Sequence, residues 1–472
     1  MLNHEPSTGQ LANVSIIEIV NDDMPFLLDS VLGLLTDRGH DISLVLHPIV
    51  NVERDRTGRL QKLVPARTGS STSVRESFIH IHLERISGKA ATSKLIDEIT
   101  TVLNHVRLSV LDWRTMQGRM KEAVAAYQNT PPPVPVEELT ETMAFLQWLL
   151  DNHFTFLGIR EYRFVGGAEE GELKVIDGSG LGILRDPDTH VLRRGKSLVT
   201  MTPEIRSFLL QPALLFITKS DVVANVHRRA AMDYIGIKQF DADGNLIGEL
   251  RVVGLFTSTA YTHTPRGIPV IRRKISGVVA RSGLNPESHS GKALLNVLET
   301  FPRDELMQID VESLSSMALG IMRLEERPRT RLFVRRDKFD RFVSAFVYIS
   351  RDRFNSKLRH DIGELLANAY EGEVTKFSPS FGEGILVRVH FNIARNTDAT
   401  SKPSTAKLEN QITEMVRTWD DRLFDAIDET FQPDEARRLR RKYRDAFSPG
   451  YQEAFTPKAS LYDIREIEAL QT

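Results

Sequence analysis

The sequence predicts an α+β protein of several domains joined by helical connectors. Its 472 residues correspond to roughly three domains at about 150 residues each. Short β-branched runs alternate with segments whose apolar residues recur at helical spacing, a pattern typical of mixed strands and helices. The stretch 130–135 holds four prolines and predicts a stiff, extended linker. These observations indicate two units of similar pattern on either side of a third, mixed unit.

The composition excludes several classes of function. Hydrophobic residues make up 41% and charged residues 26% of the chain, so packed cores are expected and wholesale disorder is excluded. With 61 basic and 63 acidic residues, the balance argues against nucleic acid or a membrane surface as a partner. The absence of cysteine excludes disulfides, iron–sulfur clusters and thiol nucleophiles. No signal-peptide pattern and no run of about 18 apolar residues is present, so a cytoplasmic location is expected.

The first unit is predicted over residues 1–129 and ends in a trailing helix, 112–128. Asp22 or Asp23 is the expected N-cap of its first helix, with Pro25 in the first helical turn. A glycine- and serine-rich loop is expected at 68–73. The predicted elements are a strand at 16–20, a helix at 27–35, strands at 42–52 and 78–83, a helix at 94–106 and a fourth strand at 107–111. The order β-α-β-β-α-β is that of a ferredoxin-like unit.

The linker 130–136 leads to a mixed α+β unit over 137–265. Its pattern is a helix, at least five strands and a short helix at 203–210, with a hairpin turn at 241–245. A helical connector over 266–327 follows, with helices near 268–281, 288–301 and 311–326. The pattern is that of a sensor-like domain joined to a helical segment.

The third unit is predicted over 328–396 and a helical segment over 397–472. Strands at 331–336 and 342–349 precede a helix at 355–370 and strands at 374–381 and 385–393. An offset of 330 residues aligns Asp22 with Asp352. The same offset aligns leucines of the helix at 27–35 with leucines of the helix at 355–370. We interpret this as a repeat of one supersecondary unit, the alternative being two generic strand-to-helix junctions.

Three motifs that could carry chemistry have simpler explanations. The glycine cluster 178–182 precedes a strand signal rather than a helix, so a loop is favoured over a dinucleotide site. His80 and His82 share one face of a strand and could chelate a metal, but a solvent-facing sheet surface is favoured. The basic run 437–444 lies between acidic stretches, which favours a solvated helix face, or a contact with another part of a larger protein, over nucleic acid. No metal or cofactor site is therefore predicted in this chain.

The two strand-to-helix corners are the remaining candidate sites. Free N–H groups and the helix dipole make such corners suitable for anions or amino-acid carboxylates. The alternative is helix capping plus surface charge. The candidate effector residues are Asp22, Asp23 and Met24 at the first corner, and Arg351, Asp352 and Arg353 at the second.

Several segments carry a resemblance to a known family. They are 21–30, beginning Asn-Asp-Asp-Met-Pro, Asp112–Trp113, Phe154–Gly158, Arg331–Asp337 and Tyr348–Asn355. Together they resemble the N-terminal part of the large, NAD-specific bacterial glutamate dehydrogenases. The resemblance implies ACT-type units flanking a PAS-like unit. The family's catalytic lysines, aspartate and Rossmann fold match nothing in this chain.

The resemblance therefore implies a regulatory and assembly fragment of such an enzyme, with NAD bound only by the parent. The expected partners are the missing C-terminal catalytic region, further copies of the chain in a homo-oligomer, and an amino-acid effector. The alternative is a stand-alone amino-acid sensor of the ACT type that acts through a protein partner. A self-contained enzyme is disfavoured, because the sequence offers no set of nucleophile, base and cofactor site.

Overall fold

The computed structural model describes residues 2–3, 13–65, 73–166, 172–189, 191, 193–194, 197–198, 213–396 and 398–470. The chain forms two compact units, Met1–Leu319 and Gly320–Thr472, and each is described by itself. The expected helix at 203–210 lies outside the described residues, as does the expected loop at 68–73 except for its last residue. Within the described ranges, no helix has the length and apolar character needed to cross a membrane.

The first sheet opens the first unit. Its strands are β1 (Leu2–Asn3), β2 (Val14–Asp22), β3 (Ile42–Leu46), β4 (Ile49–Arg54), β5 (Leu60–Val64) and β6 (Val74–Glu84). They are ordered β1-β2-β6-β4-β5, with β3 also paired to β6. The isoleucines that alternate along β2 and β6 face inward and are buried, as are the apolar stripes of helices α1 (Leu27–Asp37) and α2 (Lys89–Leu111). The opposite surface, the outer face, carries Glu18, Val20, Leu44, Leu46, His80 and His82.

Two predictions for the first unit are wrong. The expected strand 42–52 is broken at Pro48, which has no N–H to donate to the ladder. The expected fourth strand, 107–111, is the last part of helix α2. Val102, Val106 and Ser109 continue one buried helical stripe, and so short an apolar run cannot be assigned from periodicity alone. The N-terminal strand β1 occupies the edge position beside β2 instead.

The middle sheet follows helices α3 (Trp113–Asn129) and α4 (Val136–Trp148), and a π-helical turn at Leu149–His153. Its strands are β7 (Phe154–Val165), β8 (Glu172–Val175), β9 (Leu181–Gly182), β12 (Leu215–Val223), β13 (Ala231–Phe240) and β14 (Leu246–Phe256); the pair β10 (Arg193–Arg194) and β11 (Ser197–Leu198) is separate. The order is β12-β13-β14-β7-β8, all antiparallel, with β9 on β7. The hairpin predicted at 241–245 is confirmed, and Gly244 has φ 84° there.

A short helix precedes the helical connector, which contains the three predicted helices and one shorter helix. They are α5 (Ser258–Thr262), α6 (Ile271–Ser282), α7 (His289–Thr300), α8 (Arg303–Gln308) and α9 (Val311–Glu326). Their apolar stripes are long and regular, which is why periodicity located the three longer helices.

The second unit contains the last sheet, with strands β15 (Arg331–Arg336), β16 (Phe342–Ser350), β17 (Gly372–Phe381) and β18 (Leu386–Arg395) in the order β15-β16-β18-β17. Helices α10 (Ser356–Ala369) and α11 (Thr405–Val416) share one apolar core with this sheet. Helices α12 (Trp419–Thr430), α13 (Pro433–Lys442), α14 (Pro449–Ala454) and α15 (Pro457–Ala469) follow, and α12, α13 and α15 form a second core.

The first and last sheets share one topology, as the repeat predicts. In each, the strand that comes first in the chain, β1 or β15, lies at the edge of the sheet. The second strand, β2 or β16, leads into a helix. It also pairs with the strand that precedes the second helix, β6 or β18. The first sheet therefore departs from the expected β-α-β-β-α-β order by having the edge strand at the start of the unit rather than at its end, whereas the last sheet has the strand–strand–helix–strand–strand order expected for it.

Candidate functional site

The first corner is the turn between strand β2 and helix α1. Asp22 ends the strand and is exposed, whereas Asp23 is half-buried and pairs with the Arg75 guanidinium at 2.9 Å. The Asp23 N–H also donates to the Arg75 carbonyl at 3.0 Å. Met24 is half-buried beside them. Asp23 thus already has a cation from strand β6, and Asp22 is the more accessible of the two carboxylates.

Neither aspartate caps helix α1, so this prediction is wrong. Phe26 occupies the cap position with φ 72°, and no side chain caps the helix. Pro25 precedes the cap instead of lying in the first turn, and it disfavours a helical conformation at Met24. A loop of the middle domain, the part of the chain that forms the middle sheet, contacts this corner. The Ser30 hydroxyl donates to the Phe26 carbonyl at 2.5 Å and accepts the His227 N–H at 2.9 Å.

The second corner joins strand β16 to helix α10. The exposed Arg351 donates to the Gly382 carbonyl at 3.0 Å, and its guanidinium lies 5.6 Å from the centre of the Phe381 ring. Asp352 is exposed and accepts a hydrogen bond from the Ser350 hydroxyl. That hydrogen bond lowers the pKa of the Asp352 carboxyl. The carboxylate at this corner is therefore held by a local contact.

The remaining arginine of the second corner contacts two carboxylates. Arg353 is half-buried, and its guanidinium lies 3.4 Å from Asp352 and 3.5 Å from Asp421. Helix α10 is capped by Asn355, whose side chain accepts the Leu358 N–H at 2.9 Å. The two corners lie in different units, and in each the charged groups contact partners within their own unit. Ligand binding at these corners stays a prediction.

A charge cluster that sequence reasoning missed joins the middle sheet to helices α5 and α8; Asp233 is buried in it, and Lys219 and Asp304 are half-buried. The Lys219 ammonium lies 2.6 Å from Asp233 and 3.0 Å from Asp304, and the Tyr261 hydroxyl donates to Asp304 at 2.7 Å. Burial alone would lower the pKa of Lys219, but the two carboxylates raise it. The cluster fixes helices α5 and α8 on strands β12 and β13. Its members are far apart in sequence, so no local signal could have found it.

Ion pairs also join the helices of the first sheet to the middle domain. Asp112, between α2 and α3, accepts two hydrogen bonds of 2.6 Å from Arg185 and one of 2.8 Å from the Gly182 N–H. Arg229 pairs with Asp37 at 2.7 Å, and this lowers the pKa of Asp37. These contacts orient the first sheet against the middle domain.

The glycine cluster forms a loop between strands, as predicted. It runs into strand β9 and a 3₁₀ turn at Ile183–Arg185 rather than into a long helix. Gly182 has φ 61°, and a Cβ there would lie 2.1 Å from the Leu157 carbonyl oxygen. A Cβ at Gly180 would likewise lie 2.1 Å from the Leu184 carbonyl oxygen, so Gly180 and Gly182 serve close backbone packing.

The basic run lies mostly on helix α13, where exposed arginines and Lys442 contact acidic side chains. Arg438 and Lys442 both pair with Glu468, at 2.5 and 2.6 Å, and Arg440 pairs with Asp428 at 2.8 Å. Hydrogen bonds from Lys442 and Arg438 lower the pKa of Glu468 to about 2. The interpretation as a solvated helix face agrees with these contacts.

Four family models match the chain in order. They are the glutamate dehydrogenase ACT1 domain at residues 3–99, helical motif 1 at 268–327, the ACT2 domain at 331–420 and helical motif 2 at 426–470. The first and last sheets thus lie in the matched ACT domains, helices α6 to α9 in helical motif 1, and helices α13 to α15 in helical motif 2.

Curated relatives match along almost the whole chain. The NAD-specific glutamate dehydrogenase of Halomonas elongata is 34% identical over 98% of this chain and 29% of its own length. The enzyme of the same name from Pseudomonas aeruginosa is 32% identical over 98% of this chain and 28% of its own length. The NAD-specific glutamate dehydrogenase of Mycobacterium tuberculosis is 27% identical over 96% of this chain and 27% of its own length. The chain spans less than a third of the length of these relatives.

Proposed function

The chain belongs to the family of NAD-specific glutamate dehydrogenases, and we propose that it is the N-terminal regulatory and assembly region of such an enzyme. The observation that carries the proposal is the ordered match to two ACT domains and two helical motifs of that family. The parent reaction in this proposal converts L-glutamate, NAD and water to 2-oxoglutarate, ammonium and NADH. The catalytic residues and the NAD site belong to another region of the parent, and the location is cytoplasmic.

The glycine loop is consistent with an NAD site elsewhere. A dinucleotide fingerprint needs the free N–H groups of a helix N-terminus to hold the pyrophosphate. Here the loop is followed by a strand, and the Gly182 N–H is already bonded to the Asp112 carboxylate. This glycine cluster therefore does not supply a phosphate cradle.

The outer face of the first sheet supports a role in assembly. Val20, Leu44 and Leu46 are 54%, 39% and 50% exposed on it. In the last sheet, the strand that corresponds to β2 is β16, and its residues Phe346 and Tyr348, which face away from that sheet's helices, are buried. Because a fully buried leucine or valine side chain contributes about 1.5–3 kcal/mol, covering the exposed face would be favourable. The proposed cover is a second copy of the chain or the catalytic region of the parent.

Sedimentation of the purified chain tests the assembly role. We expect the wild type to self-associate and Leu46→Glu to weaken this association, since a charge would be buried at the contact. Val136→Glu is the matched control, because Val136 is 74% exposed but lies at the start of helix α4. A wild type that remains monomeric at high concentration and has no affinity for the parent's catalytic region would contradict the proposal.

Amino-acid sensing at the two corners has less structural support than the assembly role. The contacts of Asp23, Arg351 and Arg353 within the chain favour structural roles for the two corners. A PAS-like middle unit is consistent with its antiparallel five-strand order, β12-β13-β14-β7-β8. We propose that this unit positions the two ACT domains within the parent enzyme.

A further inference from the structure

Two histidines on the outer face of the first sheet point their ring nitrogens at each other. His80 and His82 lie two residues apart on strand β6 and therefore on the same side of the sheet. Their Nε2 atoms are 2.8 Å apart, and their ring centres are 4.8 Å apart. Both side chains are half-buried, so solvent reaches the pair.

A carboxylate on the neighbouring strand sets the tautomer of one ring. Glu18 is directly opposite His80 in the β2–β6 ladder, and its Oε1 lies 3.1 Å from His80 Nδ1. In the tautomer that donates from Nδ1 to this carboxylate, the neutral ring has its lone pair on Nε2. Metal-binding histidines have the same arrangement, with the second ring nitrogen donating to a carboxylate.

We propose that His80 and His82 chelate a divalent transition-metal ion through their Nε2 atoms, with Glu18 as a positioning residue. Zinc–nitrogen bonds of about 2.0–2.1 Å at tetrahedral or right angles place two ligand nitrogens roughly 2.9–3.4 Å apart. The observed separation reaches that range with a shift of a few tenths of an ångström. Imidazole ligands suit zinc, copper(II) and nickel.

The site has two protein ligands and an open side. In the part of the chain that the structure describes, no group of three or more His, Asp or Glu side chains is arranged to hold a metal ion. In the isolated chain, where the outer face is uncovered, solvent would fill the remaining coordination positions, and the affinity is accordingly weaker than that of a closed structural zinc site. The competing explanation is a hydrogen-bonded imidazole pair in which His82 donates to His80, without metal affinity.

Calorimetric titration of the full chain with Zn²⁺, in a buffer that does not bind zinc, separates the two explanations. The wild type should show a site that His80→Gln or His82→Gln weakens at least tenfold. The matched control is His360→Gln, which removes an exposed histidine beside Glu364 on helix α10 and should leave the affinity unchanged. Circular dichroism verifies that each variant is folded.

The positioning role of Glu18 has its own readout. Glu18→Gln should weaken zinc binding by about 10–100-fold, the usual effect of losing such a carboxylate. It should leave the thermal midpoint of the metal-free protein unchanged, because Glu18 is exposed. Equal zinc affinity and stoichiometry in the wild type and in the His80→Gln/His82→Gln double variant would overturn the proposal.

Discussion

Replacing Asp112 by asparagine tests how the first sheet is fixed to the middle domain. Asp112 is 5% exposed, and its carboxylate accepts three hydrogen bonds, two from Arg185 and one from the Gly182 N–H. Hydrogen bonds to charged groups contribute about 1.5–3 kcal/mol each. Two effects reduce the expected loss. The Arg185 side chain is 52% exposed, so solvent screens the ion pair, and the amide oxygen of the asparagine still accepts one hydrogen bond. We therefore expect Asp112→Asn to reduce the free energy of unfolding by about 2 kcal/mol.

The loss should depend on pH in a defined direction. The hydrogen bonds from Arg185, reinforced by the Gly182 N–H, lower the pKa of Asp112 in the folded protein. A group whose pKa is lowered by folding contributes its full stability above the unfolded pKa, about 3.9 for aspartate. That contribution is lost as the pH falls through the folded pKa. The difference between wild type and Asp112→Asn should thus be complete at pH 7 and shrink below about pH 4.

Urea unfolding measures this difference when it is followed by tryptophan fluorescence, in which Trp113 and Trp148 report on the first unit and Trp419 on the second. Asp177→Asn is the matched control, because Asp177 is an exposed aspartate near the same glycine loop. We expect the control to change the free energy of unfolding by less than about 0.5 kcal/mol. If Asp112→Asn is as small in effect as the control, or if its effect is constant from pH 3 to pH 7, the reasoning is refuted.

Four further predictions concern catalysis, the last sheet and the corners. The purified chain should form no NADH from glutamate and NAD at 340 nm; turnover above a blank would contradict the proposed function. Asp337→Asn should destabilise the second unit by about 3–5 kcal/mol in denaturant unfolding, because it removes the negative charge that faces the fully buried guanidinium of Arg341; a loss below 1 kcal/mol would argue against this. Asp22→Ala should cost under about 0.5 kcal/mol, since Asp22 does not cap α1, and a larger loss would refute that. If the corners bind an effector, an amino acid should raise the thermal midpoint of the wild type but not of Asp22→Ala or Arg351→Ala; if none does, the corners have only structural roles.

The sequence by itself predicted the elements whose pattern is local and long. The strands of the last sheet, its helix that begins after Asn355 and the three longer helices of the connector lie where the periodicity of their apolar residues placed them. The turn at Asp241 is set by its own side chain, which accepts the backbone N–H groups of Asp243 and Asn245. These features depend on neighbours within a few residues, so the sequence alone contains the relevant interactions.

Other features were decided only by contacts between distant segments. Helix α2 continues through 107–111 because Ser109 is buried and donates to the Leu157 carbonyl of the middle sheet. Helix α1 starts after a left-handed Phe26 whose carbonyl is held through Ser30 by the loop at His227. A chain's local preferences differ by about 1 kcal/mol or less, and the burial and hydrogen bonding of tertiary contacts outweigh them. The pairing of Glu18 with His80 is likewise a tertiary feature, because it depends on strands β2 and β6 lying side by side in the sheet.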